Sequence, residues 1–106
     1  MKKKIKKKID FVATIFGKDY EIKFVDQILS PVDGHPCCGL CDSEGATIYI
    51  NNKMDKELTN VTFFHELFHA YCRRMGLENS GLSEELEELV ADQFAKVIHE
   101  VLDFEI

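Results

Sequence analysis

A chain of 106 residues with 45% hydrophobic content can bury one ordinary core but not two, so a single domain over residues 1–106 is expected. The formal charge of −6 splits into +6 over the first eight residues, which hold six lysines, and −12 over the rest. So acidic a body argues against broad non-specific binding of nucleic acid.

The lysine run reads first as a solvated strand end, with an acidic or phosphate-bearing partner as the alternative. The opening "MKKKIKKKIDFVATIFGKDYE" has its apolar stretch broken by Asp10 and Thr14 and ends at Gly17 without a cleavage site. No run approaches the ~18 apolar residues that span a bilayer, so a cytoplasmic location without a membrane partner is expected. From Ile5, the odd positions Ile5, Ile9, Phe11, Ala13 and Ile15 alternate with polar ones, the period of a half-buried strand. "FGKDY" supplies a turn, and Tyr20, Ile22 and Phe24 alternate with Glu21 and Lys23, which completes a hairpin.

Residues 30–46, "SPVDGHPCCGLCDSEGA", hold both prolines and three glycines without periodicity and read as an irregular surface loop. "ATIYIN" then reads as a short third strand. Leu58, Val61, Phe64, Leu67, Phe68, Tyr71 and Met75 recur at helical spacing, which predicts a helix over 56–75 with Asp55 as N-cap and Gly76 as its stop. "GLSEELEELVADQFAKVIHEVLDF" predicts a second helix capped by Ser83, with Leu86, Leu89, Val90, Phe94, Val97, Ile98 and Val101 as its apolar side. Strands followed by helices suggest an α+β fold: a small three-stranded, mostly antiparallel sheet and two packed helices.

"FFHELFHAY" places His65, Glu66 and His69 in the H-E-x-x-H pattern on the first helix. Histidines four apart share a face, so both can reach one tetrahedral ion, and Glu66, turned by about 100°, can contact a bound water without being a ligand. On the second helix, with Glu88 at zero, Asp92 lies at about 40°, Ala95 at about −20° and His99 at about 20°. Packed antiparallel, this stripe would bring Glu88 to the histidines as third ligand, with Asp92 able to accept the far ring N–H of one of them. Glu84, Glu85 and Glu87 are rivals of Glu88 for that place, although each reads first as part of a solvated first turn that complements the helix dipole, and the helical wheel prefers Glu88 only modestly.

His65-Glu66-Leu67-Phe68-His69 followed by Glu88-Leu89-Val90-Ala91-Asp92-Gln93-Phe94-Ala95 resembles the gluzincin metallopeptidases; "ELVADQFA" is most similar to their ImmA/IrrE-type members, and the very short chain is similar to the minimal gluzincins. The resemblance spans about residues 47–98. It implies one zinc ion held by His65, His69 and Glu88, Glu66 as general base and proton shuttle, and Asp92 behind a ligand histidine. It further implies that "ATIYIN" lies above the cleft and pairs with an extended protein or peptide substrate. Phe68 stands where ImmA/IrrE-type members commonly carry Gly, and no helix-turn-helix pattern is present. For the oxyanion donor, Tyr49, Tyr71, His35 and His99 are all open.

Four cysteines in a reducing compartment are expected to be thiols or metal ligands. Cys38 and Cys41 form one C-x-x-C arm of a second metal site, but no second arm exists, and His35, Cys37 and Cys72 complete it poorly. "PCCGLCD" is loosely similar to the cysteine-switch peptide of matrix metalloproteinases at Pro36, Cys38, Gly39 and Asp42, which gives the loop a possible regulatory role. A redox-sensitive disulfide within the loop is a further reading, and plain reduced cysteines are the leading one. Cys72, three residues after His69, is expected beneath the metal site as a small apolar group. Besides a zinc metallopeptidase, two other classes stay open: a catalytically silent zinc-binding regulatory module with its open position blocked, and a small DNA-associated or adaptor domain using the lysine-rich end.

Overall fold

The computed structural model describes residues 9–77 and 81–102. The lysine run with Ile5, and the second helical segment beyond Leu102, lie outside the described residues. The chain forms β1 (Phe11–Ile15), β2 (Lys18–Val25), β3 (Gly39–Asp42), β4 (Thr47–Asn51), α1 (Lys56–Met75) and α2 (Glu84–Val101). The fold is therefore α+β, with strands preceding helices.

The sheet has four strands in the order β1-β2-β4-β3, and it is mixed. β1 with β2 and β3 with β4 are antiparallel, whereas β2 and β4 run parallel. This corrects the three-stranded, mostly antiparallel expectation, and the source of the error is residues 30–46. That stretch is ordered by pairing: Cys37 N donates to Ile28 O at 3.0 Å and Ser30 N to His35 O at 2.8 Å, after which Gly39–Asp42 pair with β4. Four residues rich in Gly and Cys carry almost no strand propensity, so the strand exists because β4 offers it a ladder.

The β1–β2 hairpin closes on the Ile15–Lys18 pair, which leaves Phe16 and Gly17 as a two-residue turn with φ of 47° and 78°. Two positive φ values give the turn whose twist matches the flanking strands. A left-handed Phe is costly, and here contacts hold it. Its ring meets Tyr71 edge-on with centroids 5.1 Å apart, and Arg74 Nη2 donates to Phe16 O at 3.2 Å. The alternation expected in both strands is present, with Ile15, Tyr20 and Ile22 buried beside Ile48 and Ile50. Ile9 departs from it: β1 starts two residues later, and Ile9 is 82% exposed.

Both helices begin and end near the expected residues. Leu58 N donates to Asp55 Oδ1 at 2.8 Å, Leu86 N to Ser83 Oγ at 3.1 Å, and Gly76 takes the left-handed conformation after α1. α1 packs on one face of the sheet through Phe63, Phe64 and Ala70. α2 packs on α1 rather than on the sheet. The expected apolar side of α2 is corrected accordingly. Phe94 and Ile98 join the core, but the residues α2 buries are Glu87, Ala91 and Ala95, while Leu86, Leu89, Val90, Val97 and Val101 are exposed. With no sheet beneath it, α2 has one neighbour, and small alanines let the two helices approach closely.

Candidate metal centre

Partners along α1 rise in number as those on α2 fall: His65 meets Asp92, His69 meets Glu87, and Arg73 also meets Glu87. The helices are therefore antiparallel, and the stripe expected on α2 lies against the histidines. Glu88 Oε2 is 3.2 Å from His65 Nε2, Glu88 Oε1 is 2.7 Å from His69 Nε2, and the two Nε2 atoms are 3.2 Å apart. Among the described residues, His65, His69 and Glu88 are the group whose ligand atoms converge closely enough to hold a metal ion.

The far ring nitrogens explain why this cluster suits a cation. His65 Nδ1 lies 2.8 Å from Asp92 Oδ1, and His69 Nδ1 is hydrogen-bonded to Glu87 Oε2. A carboxylate only accepts, so each ring donates from Nδ1, which in a neutral imidazole leaves the lone pair on Nε2. Two lone pairs and a carboxylate then point into one small space. That arrangement would be repulsive by itself, and a shared divalent cation would relieve it. The separations also suit tetrahedral bonds of about 2.0–2.2 Å.

Asp92 thus stands where the helical wheel puts it. Glu87 does not behave as a solvated first-turn residue: it is 6% exposed, it orients His69, and its Oε1 accepts from Arg73 Nη1 at 3.3 Å. The sequence did carry a signal for it. Glu87 sits one turn before Ala91 and two before Ala95, the small residues that mark the buried side of α2. Glu84 and Glu85 are exposed, as expected of a first turn.

Glu66 is 8% exposed, and burial pushes its carboxyl up to about 7, with the nearby Glu88 adding to the rise and His65 opposing it. It is not among the converging ligand atoms. A cleft of about 670 Å³ opens beside it, walled on one side by Cys37–Cys41 and the Ser30–Val32 lip and on the other by His65, His69, Arg73, Glu88 and Asp92. The strand at this cleft is β3, the edge of the sheet. "ATIYIN", expected there, is β4, which is paired on both sides by β2 and β3 and has no free edge for a substrate.

The expected oxyanion candidates are not in the cleft wall. Tyr49 alternates with the buried Ile48 and Ile50 and so lies on the sheet face away from the helices. Tyr71 packs on Phe16, His35 belongs to the turn before β3, and His99 lies about 16 Å along α2 from Glu88.

Cys38 and Cys41 are not brought together. The Cys38 carbonyl accepts from Asn51 N at 2.8 Å, which continues the β3 ladder, and residues three apart on a strand point to opposite faces. Burial pushes the Cys37 and Cys41 thiols up, Cys41 to about 11, so both stay neutral at pH 7. Cys72 is fully buried as a small apolar group. Comparison with family models, curated proteins and solved structures gives no match for this chain.

Proposed function

We propose that the chain is a zinc metallopeptidase of the gluzincin type, similar to the ImmA/IrrE-type enzymes, that hydrolyses peptide bonds of a protein or peptide in the cytoplasm. The observation that carries this reading is the convergence of His65 Nε2, His69 Nε2 and Glu88, with both rings oriented by carboxylates, beside a buried carboxyl that is not a ligand. A purely structural ion would have no use for Glu66 at that place. Zinc bound here would lower the pKa of its water to about 7 and polarise the scissile carbonyl.

The remaining work falls to side chains of this chain. Glu66 takes the proton of the attacking water and delivers it to the leaving amine, a role suited to a carboxyl near neutrality. Asp92 and Glu87 fix the tautomers of His65 and His69 and hold their rings in place. The outer edge of β3 offers backbone donors and acceptors to an extended substrate, which would join the sheet as a further strand along the cleft.

The test is zinc stoichiometry and cleavage of a denatured protein by the wild type, Glu66→Gln and His69→Ala. The wild type should bind one equivalent and cleave. Glu66→Gln should keep the metal and lose about 1,000-fold or more in rate, because this one base serves both proton transfers. His69→Ala should lose both metal and cleavage. Undiminished cleavage by Glu66→Gln would sink the reading.

A further inference from the structure

Gly39 is the first residue of β3, and its backbone is not in the left-handed region, so nothing in its conformation calls for glycine. Its surroundings do. A methyl group placed on Gly39 would stand 2.7 Å from Thr62 Cγ2, 3.0 Å from Glu66 Cγ and 3.2 Å from Glu66 Oε2. The first distance is far inside van der Waals contact, and neither carbon neighbour can yield freely. Thr62 is β-branched and buried on a helix, which restricts its χ1. Glu66 Cγ is near the root of its side chain, and Phe63 and Phe64, two of the three residues between, pin this turn of α1 into the core.

We propose that Gly39 is a positioning residue for Glu66: by carrying no side chain it lets the edge strand lie directly on α1 and seats the Glu66 carboxyl against the strand that borders the cleft. The catalytic consequence rests on the peptidase reading above, while the packing consequence does not. Any side chain at 39 must push aside Thr62 and also either displace Glu66 or lift β3 from α1. Either change alters the distance between the base and the strand edge along which a substrate would lie. A misplacement of about 1 Å can cost on the order of 100-fold in rate.

Gly39→Ala should therefore keep one equivalent of zinc and lose about 10- to 100-fold in kcat. Because the severest contact is with Thr62 Cγ2, Gly39→Ala combined with Thr62→Ser removes that clash and leaves the contacts with Glu66. The double variant should melt near the temperature of Thr62→Ser alone yet remain at least about 10-fold slower than it. A merely structural glycine would recover rate and stability together. The second readout needs no activity: in zinc-free protein labelled at the glutamate carboxyls, the Glu66 carbon-13 resonance should be displaced in the double variant relative to Thr62→Ser at the same pH. A double variant with the rate and the resonance of Thr62→Ser overturns the proposal. If the wild type cleaves nothing, a displaced resonance upholds the seat while the peptidase reading fails, and an unmoved resonance overturns the seat by itself.

Discussion

The two helices are nearly equal in length, 20 and 18 residues, start from the same kind of cap, and each carries a run of apolar residues at helical spacing. They bury different things. α1 is covered by the sheet on one side and by α2 on another, and it places Phe63, Phe64 and Ala70 in the core. α2 turns Glu87, Glu88, Ala91, Asp92 and Ala95 towards α1 and leaves most of its leucines and valines outside. Seen on a helical wheel, Leu86, Val90 and Val97 lie roughly half a turn from Glu88, so α2 cannot bury that stripe on α1 and also bring Glu88 to the histidines. The rotation of α2 follows the polar constellation, not the hydrophobic one.

The sharpest way to break that comparison is to alter neighbouring residues of α2. Glu88→Ala removes one of the three groups that converge at the candidate metal position, whereas Leu89→Ala, one position on, trims an exposed side chain. Glu87→Ala takes the carboxylate from behind His69 and should weaken zinc binding by about 10- to 100-fold. Glu88→Ala should weaken it further, since a ligand is lost and not its support. Leu89→Ala should leave zinc affinity unchanged. Competition with a chelator of known affinity reads all three, and a Leu89→Ala defect as large as that of Glu88→Ala would place the wrong side of α2 against α1.

On α1, the corresponding buried polar group is Glu66. Its carboxyl has an ordinary value of 4.5 in the unfolded chain and is pushed up to about 7 by burial in the fold. The folded state therefore favours the protonated form. The stability this brings is fully present below about pH 4.5 and is lost as pH rises through 7, a swing of at most about 3 kcal/mol. In zinc-free protein, Glu66→Gln should be more stable than wild type at pH 8 and should lose that advantage towards pH 4.5. Urea unfolding of both proteins across this range measures it, and parallel pH profiles would show that Glu66 is not buried as described.

The same contrast explains what could be read from the sequence. His65, Glu66 and His69 stand out because their spacing alone fixes their faces, whatever the tertiary contacts, whereas Glu88 and Asp92 stand out only with antiparallel packing and the gluzincin resemblance added. The caps at Asp55 and Ser83 are equally local. β3 and the orientation of α2 were not legible in this way. Gly39–Asp42 become a strand only through β4, and which side of α2 is inside depends on its having a helix and not a sheet beneath it. Glu87 falls between the two: hydropathy marks it as surface, while Ala91 and Ala95 on the same side mark it as contact.

Those alanines give the next test. Ala95 is fully buried between the helices, so Ala95→Leu must force them apart and should cost about 1–3 kcal/mol, with zinc affinity falling as Glu88 withdraws. Coupled losses in thermal midpoint and in zinc affinity are expected, because a single helix contact supports both.

The smallest effect tests the comparison most directly. Val97 belongs to the stripe that hydropathy assigns to the core, yet it is 53% exposed on the outer side of α2. If α2 buried its valines, Val97→Ser would remove two methyl groups from a packed interior and place a hydroxyl there, at a cost of about 1–3 kcal/mol. With Val97 at the surface, the change removes little buried area, and serine is about as good a helix former as valine. The expected change in unfolding free energy is then within about 0.5 kcal/mol, with zinc affinity untouched. Chemical denaturation of Val97→Ser beside Ala95→Leu, two residues apart on one helix, decides between the two orientations: the fold described here requires the alanine to be the sensitive position and the valine the tolerant one.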